Sequence, residues 1–406
     1  MLRFLLVLSW RNLWRRTRRT LVLVAAIAAG MAAIVVTAAF MRGIAARTVH
    51  DALANLLGDA QLHAPGYRDN PSVRYRFALD AADVRAALDS PQVAAYAARV
   101  RAPAVVSSER RSLPVTLVGI DPPAEQSLSF LGEARIEGHG PKDVEDTGML
   151  IGRRLAESLG TAVGRRIVLM SQGEGNVIVD RGFRVTGIYD ANPKNLEIAY
   201  VFTGRATAQA LLGIGGDVTQ ISLRAAPGVT PEALAAALSR RLPELDAAAW
   251  PELAPMAAGR VQMNRGFTLI WFTVVAAAMV IGLVNTLLMA VFERTRELGL
   301  FQALGLPPRA IVLQVVCESA LMLAAGIALG GLLGWIAIVG SGEGIDVSMF
   351  ARGAERAGLN TRLPLVFDVP DLILTGLAGF AVGIAAGLYP AWRAARAVPV
   401  EAITRT

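Results

Sequence analysis

Very few side chains in this sequence have the type and spacing needed for covalent chemistry. The lysines are Lys142 and Lys194, each preceded by a proline, so no Gly-x-x-x-x-Gly-Lys-Ser/Thr loop exists to cradle a triphosphate. His50, His63 and His139 are scattered, and Cys317 stands alone in an apolar run. That set offers no His-Glu-x-x-His zinc helix, no His/Cys cluster and no disulfide within the chain. Gly340-Ser-Gly342 lacks the Gly-x-Ser-x-Gly spacing of a nucleophile elbow and reads as the turn that ends an apolar helix. Gly173-Glu-Gly175 has no helix after it and reads as a hairpin tip, not a phosphate cradle. The expectation is a non-catalytic chain with no catalytic residue, no metal and no cofactor bound directly.

Two other charged features stand out. Glu318 is the one ionisable residue inside the apolar run Ala310 to Gly340. A carboxylate there is costly, so it should be paired, interfacial or turned toward protein, with an arginine near the membrane face as mate; an ion pathway would need more than one acid. The stretch Glu293-Arg-Thr-Arg-Glu-Leu-Gly-Leu-Phe-Gln-Ala-Leu-Gly-Leu-Pro-Pro-Arg309 is the most informative. Leu298, Phe301 and Leu304 recur at helical spacing behind a charged start, and Gly305 then Pro307 stop the helix. Such a short amphipathic helix, held at both ends by apolar runs, transmits force if a partner grips it. Amphipathicity alone favours a plain interfacial loop stabilised by lipid contact over a force-transmitting element.

The elements that must hold this stretch follow from hydropathy. Of 406 residues, 54% are hydrophobic and 18% charged, which is more apolar than a water-soluble domain of this length. The excess sits at the two ends, while Asp51 to Asn264 is ordinary in composition. The net charge of +7 comes almost wholly from arginine, and no aromatic-interleaved basic stripe accompanies it, so nucleic acid is not expected. Thr20 to Met41 is free of charge; some 22 residues at about 1.5 Å each cover the hydrocarbon core of a bilayer. A cleaved signal peptide is the alternative, but the run exceeds a usual h-region and no cleavage site precedes Arg42. Gly266 to Phe292 and Leu372 to Trp392 are also uncharged.

Four spans leave both termini on one side. Arg11 to Arg19, Arg294 with Arg296 and Arg309, and Arg393 with Arg396 all fall on that face, which the positive-inside rule makes cytoplasmic. The expected fold class is therefore a membrane protein of four transmembrane α-helices with a large mixed α/β extracytoplasmic domain inserted between spans one and two. The expected layout is a cytoplasmic amphipathic segment 1–19, span 20–41, outer domain 42–265, span 266–292, coupling helix 293–309, span 310–340, outer loop 341–370, span 371–392 and cytoplasmic tail 393–406. Within the insert, Gly43 to Leu57 reads as a helix prolonging the first span, Ala60 to His63 as a strand, and Asp80 to Ala98 as helical. Val105 to Ile120 alternates like strands broken by Pro114, and Leu150 to Leu159 suits a short helix. Ile167 to Met170 with Asn176 to Tyr189 suggests a hairpin, and Pro231 to Arg241 a helix capped by Thr230. In the membrane, Gly326, Gly330 and Gly334, then Gly379, Gly383 and Gly387, form flat ridges for close helix packing, within the chain or against a second one.

The run from Glu293 to Gly305 resembles the coupling segment of FtsX-like ABC-transporter permeases, the group that includes the lipoprotein-releasing LolC and LolE and the macrolide exporter MacB. Leu388-Tyr-Pro-Ala-Trp-Arg-Ala-Ala-Arg-Ala-Val-Pro-Val-Glu-Ala402 is similar to that family's ending, and Trp10-Arg-Asn-Leu-Trp-Arg-Arg-Thr-Arg-Arg19 to its amphipathic start. Gly58-Asp-Ala-Gln-Leu-His-Ala-Pro-Gly-Tyr67, Gly119-Ile-Asp-Pro122 and Leu150-Ile-Gly-Arg-Arg-Leu-Ala-Glu-Ser-Leu-Gly160 look most like the lipoprotein-release branch. The resemblance implies that Glu293, Arg294, Arg296, Glu297, Gly299, Ala303 and Gly305, with the apolar Leu298, Phe301 and Leu304 between them, meet an ATPase. It implies a MacB-type periplasmic domain of an α/β part and a second lobe, and a bacterial inner-membrane location. It also implies partners: a dimer of ABC ATPase subunits carrying ATP and Mg, a second permease copy or paralogue, and a periplasmic adaptor or lipoprotein carrier. The function expected is mechanotransmission, with lipoprotein release as the nearest cargo. The alternatives are an FtsX-type scaffold activating a cell-wall hydrolase, export of another lipid, peptide or drug, or a secondary transporter, which so few spans disfavour.

Overall fold

The computed structural model describes residues 2–15, 17–191, 194–293, 300, 302, 307–342, 344–346, 362–363 and 365–395. The chain divides into a helical unit, Met1–Ala45 with Gln262–Asp346 and Arg362–Thr406, and a sheet unit, Ala46–Val261. Helix α1 (Leu2–Arg15) precedes α2 (Thr17–Ala52), which ends in a π-helical turn, Leu53–Leu57. The sheet unit follows with β1 (Ala60–His63), β2 (Phe77–Ala78), α3 (Ala82–Leu88), β3 (Val93–Ser107), β4 (Ser112–Ile120), α4 (Pro122–Leu128) and β5 (Arg135–Gly138). Next come β6 (Gly148–Gly152), α5 (Arg153–Leu159), β7 (Arg166–Gln172), β8 (Ile178–Asp190), α6 (Leu196–Ala199), β9 (Tyr200–Gly204) and α7 (Arg205–Leu212). It ends with β10 (Asp217–Val218), β11 (Gln220–Ala225), α8 (Pro231–Arg241), β12 (Asp246–Ala249) and α9 (Trp250–Leu253). Three long helices complete the chain: α10 (Pro255–Glu293), α11 (Pro308–Gly340) and α12 (Val369–Ala395). Among the described residues, the helices long and apolar enough to cross a membrane are Thr20–Ala52, Pro255–Glu293, Pro308–Gly340 and Val369–Ala395. Four such helices with a mixed α/β unit between the first and second are the fold class expected from hydropathy.

The main sheet runs β12-β1-β11-β3-β4-β9-β6-β8-β5, with β7 bridging β3 and β8. Strands β3, β4, β9, β6, β8 and β7 therefore close on themselves, and β4–β9 and β6–β8 are the parallel pairs. The long β3 serves two neighbourhoods: residues 93–99 pair with β11, and residues 100–107 with β4. Side chains alternate across a strand, so consecutive residues feed opposite cores. Leu117, Met149, Ile151 and Val201 enter the larger core. Val118, Ile120, Leu150 and Phe202 enter a smaller, aromatic one with Phe130 and Tyr189. Leu56, from the turn that ends α2, fills the aromatic core and is fully buried.

Several local expectations meet tertiary context. Ala60–His63 is a strand, the β7–β8 hairpin turns at Gly173–Val177, and the Thr230 hydroxyl caps α8 by accepting from the Ala233 amide at 3.2 Å. Asp80 to Ala98 is not one helix. Only Ala82–Leu88 is helical, and the alanine-rich Ala94–Ala98 lies in β3, where pairing with β11 overrides alanine's helix preference. Leu150 to Gly152 also form strand rather than helix, because all three pair with β8 and Leu150 and Ile151 pair with β9 as well. Pro114 does not break β4. It pairs with Val105, and β9 joins β4 only from Thr116 onward, so the missing N–H of the proline faces no partner strand.

His63, at the end of β1, is 3% exposed and stacks on Tyr67 with ring centroids 4.8 Å apart. Burial, then the nearby Arg101 and Arg68 charges, lower its pKa to about 3. The unfolded chain therefore binds a proton that the folded chain refuses between pH 6.5 and about 3, so stability is full above 6.5 and falls with acidification. From pH 7 to pH 5 this group should cost about 2 kcal/mol. Thermal unfolding of the full chain should show that loss, and His63→Phe should flatten it.

Candidate coupling site

The second span ends at Glu293, whose side chain is exposed. Arg294, Arg296, Glu297, Leu298, Gly299, Phe301, Ala303, Leu304 and Gly305 lie outside the described residues. Leu300 and Gln302 are helical; Leu300 is exposed, and the Gln302 amide donates to the Ala395 carbonyl at 3.3 Å. The segment is bracketed by a packed knot of helix ends. Val291 of α10, Ile311 and Val315 of α11, and Ala391 and Ala394 of α12 share one apolar cluster. Arg393 lies over the Phe292 ring at 5.2 Å. Pro307 precedes α11 in an extended conformation and accepts from the Ala310 amide at 2.8 Å, so it caps the start of that helix. Sequence reading missed Ala391, Ala394 and Ile311, whose only signal is small or branched residues at the ends of two apolar runs.

The glycines lie on particular helices. A Cβ on Gly330 would come within 2.4 Å of the Ala28 carbonyl oxygen and 2.6 Å of the Met31 Cβ; one on Gly326 would meet Ile27, and one on Gly334 would meet Val35. The ridge on α11 thus faces α2. Gly383 and Gly387 on α12 face Leu323 and Ser319 of α11, whereas a Cβ on Gly379 would stand in open space. Glu318 is half-buried on α11. Helix α1 lies against α11, with the Ser9 hydroxyl donating to the Gln314 carbonyl at 3.3 Å. Trp10 and Trp14 stay exposed edge to face at 6.0 Å, and Arg11, Arg15 and Arg18 are exposed beside them, the distribution of a helix that lies in a membrane interface.

The sheet unit adds a surface the sequence did not reveal. At the tip of the β7–β8 hairpin, Val177 and Ile178 are 61% and 74% exposed, and Val168 and Met170 extend the apolar strip along β7. The tip is anchored. Arg76 pairs with Glu174 and, at 3.0 Å, with Asp217, and these partners raise its pKa. Among the described residues no group of His, Cys, Asp and Glu could hold a metal ion.

Two family models cover most of the chain: the MacB-like periplasmic core domain matches residues 20–241, and the FtsX-like permease C-terminal region matches residues 269–399. The chain is an FtsX-like ABC-transporter permease with a MacB-like periplasmic core. The permease is 25% identical to the lipoprotein-releasing system transmembrane protein LolC of Neisseria meningitidis serogroup B, over 95% of this chain and 93% of that one. It is 25% identical to LolC of Xylella fastidiosa over 93% and 91%. The macrolide export ATP-binding/permease protein MacB of Chlorobaculum tepidum is 36% identical over only 30% of this chain and 16% of its own length. Among solved structures, the periplasmic region of MacB from Actinobacillus actinomycetemcomitans covers 50% of the chain at 11% identity with a TM-score of 0.35.

In a bilayer no water-driven burial pulls spans together, so the permease depends on close backbone approach at its glycines. Gly330→Leu should force α2 and α11 apart and cost about 2 kcal/mol or more. Gly282→Leu, at a position where a Cβ meets nothing, should cost little. Apparent Tm values of the detergent-solubilised chain distinguish the two.

Proposed function

We propose that this permease is the membrane subunit of a system that releases lipoproteins from the bacterial inner membrane, powered by a separate ATPase. The observation that supports the cargo most is the extent of likeness. LolC relatives align with nearly the whole chain, periplasmic and membrane parts alike, while MacB relatives align with about 30% of it. The chain is non-catalytic, with ATP and Mg held on the partner, because its sequence contains no phosphate loop.

In this reading both termini and the 293–309 segment are cytoplasmic, on the arginine-rich face. An ATPase dimer grips two such segments, one from each of two permease copies or paralogues. Gly299 lets the segment's backbone approach a groove, and Glu293, Arg294, Arg296 and Glu297 set register at the rim. Closure of the ATPase pulls on the segment, and α10 and α11 carry the displacement outward as levers. The spans are almost free of interior charge, which suits levers better than a polar conduction path. The exposed Val177 and Ile178 tip is the contact for a soluble lipoprotein carrier, whose lipid-receiving surface must itself be apolar.

Glu297→Arg and Gly299→Trp should leave the partner hydrolysing ATP while lipoprotein release from proteoliposomes falls at least about tenfold. Native release per ATP in both variants would remove the coupling assignment. Ile178→Asp should reduce hand-over to a soluble acceptor about tenfold with ATPase and Tm unchanged. Crosslinked pull-downs that capture a cell-wall hydrolase and no lipoprotein would favour a scaffold instead.

A further inference from the structure

Helix α2 ends inside the sheet unit, and the way it ends is unusual. The turn Leu53–Leu57 breaks at Asn55 (φ −75°, ψ 50°) and Leu56 (φ 62°, ψ 8°), which puts a bulky residue in the left-handed region. L side chains stay there only when their surroundings hold them. Here the side chain fills the aromatic core, and the carbonyl is a point of convergence. It accepts from the Gln61 amide at 2.9 Å, the Ser222 hydroxyl at 2.9 Å, the Gln220 amide at 3.3 Å and the Arg99 guanidinium. These side chains come from β1, β11 and β3, which are neighbours in the sheet.

Arg99 is completely buried and also donates to the Ser222 hydroxyl at 2.6 Å. Its other edge forms a bidentate pair with Glu125 of α4, at 2.6 and 2.9 Å, and Glu125 is 1% exposed. Gln61 donates as well to the Leu57 carbonyl at 2.9 Å. Just beyond, Gly58 sits at φ 67°, where a Cβ would come within 2.7 Å of the Leu223 carbonyl oxygen. A helix end needs only water or a cap to satisfy its last carbonyls. A buried ion pair is a poor source of stability compared with apolar packing, so its value here is in fixing geometry.

We propose that Arg99, with Gln61, Gln220 and Ser222, is a positioning clamp on the Leu56 carbonyl that holds residues 46–57 at one angle on the sheet. The end of the first membrane helix is thereby a stiff joint and not a hinge. The use of that joint to pass force rests on the mechanical function proposed above; its stiffness does not.

The test uses the full chain with Cys317→Ser and spin labels at Ala46→Cys and Glu109→Cys, both exposed and both in the sheet unit. The native distance distribution should be narrow. In Arg99→Met/Glu125→Leu it should broaden about twofold, and the Gly58 and Asp59 amides should exchange about tenfold faster. Gln61→Leu/Ser222→Ala, which retains the ion pair, should show the same changes and answers the question if the first variant does not fold. Native width and exchange in Gln61→Leu/Ser222→Ala would overturn the clamp. With the ATPase present, a broadened joint that still releases lipoprotein at the native ratio would refute force passage at Leu56 and leave the coupling segment untouched. Normal coupling in Glu297→Arg and Gly299→Trp would instead refute the mechanical function and leave the joint standing.

Discussion

A backbone carbonyl cannot be buried without a donor, and at Leu56 this rule governs how the chain passes from its first long helix into its sheet. The left-handed conformation costs a leucine about 1–2 kcal/mol, and the buried arginine and glutamate add their own desolvation. Those costs are met by one aromatic core and one convergent set of hydrogen bonds. The same turn sets where β1 begins, and β1 lies between β11 and β12, so the placement of that sheet half follows from it.

The sheet has the construction of a rigid body. Strands β3, β4, β9, β6, β8 and β7 close on one another, and the shared β3 binds this ring to the β12-β1-β11 side through a continuous backbone. Alternation along β4, β6 and β9 sends successive residues of the same strands to two cores, a larger, mostly aliphatic one and a smaller aromatic one. The helical unit solves a different problem. Its glycines bring α11 against α2, and α12 against α11, because lipid offers no hydrophobic drive to associate.

A permease built this way has stiff parts and flat contacts but no reactive constellation among its described residues. The knot of Val291, Ile311, Ala391 and Ala394 ties the ends of three helices together at one end of the spans.

The sequence by itself determined the four spans, because a bilayer accepts only long uninterrupted apolar helices and so writes its demand into composition. It also determined the Ala60–His63 strand, the β7–β8 hairpin and the Thr230 cap, which depend on neighbours a few residues away. Membership of the family was legible in the motifs at both ends and between the second and third spans. Only the tertiary structure decided that Ala94–Ala98 is strand, that Leu150 belongs to β6, and that Val177 and Ile178 stay exposed. It alone brought Arg99 to the Leu56 carbonyl. The difference is range: periodicity and turn chemistry are local, whereas strand pairing, exposure and the partner of a buried arginine depend on residues far along the chain.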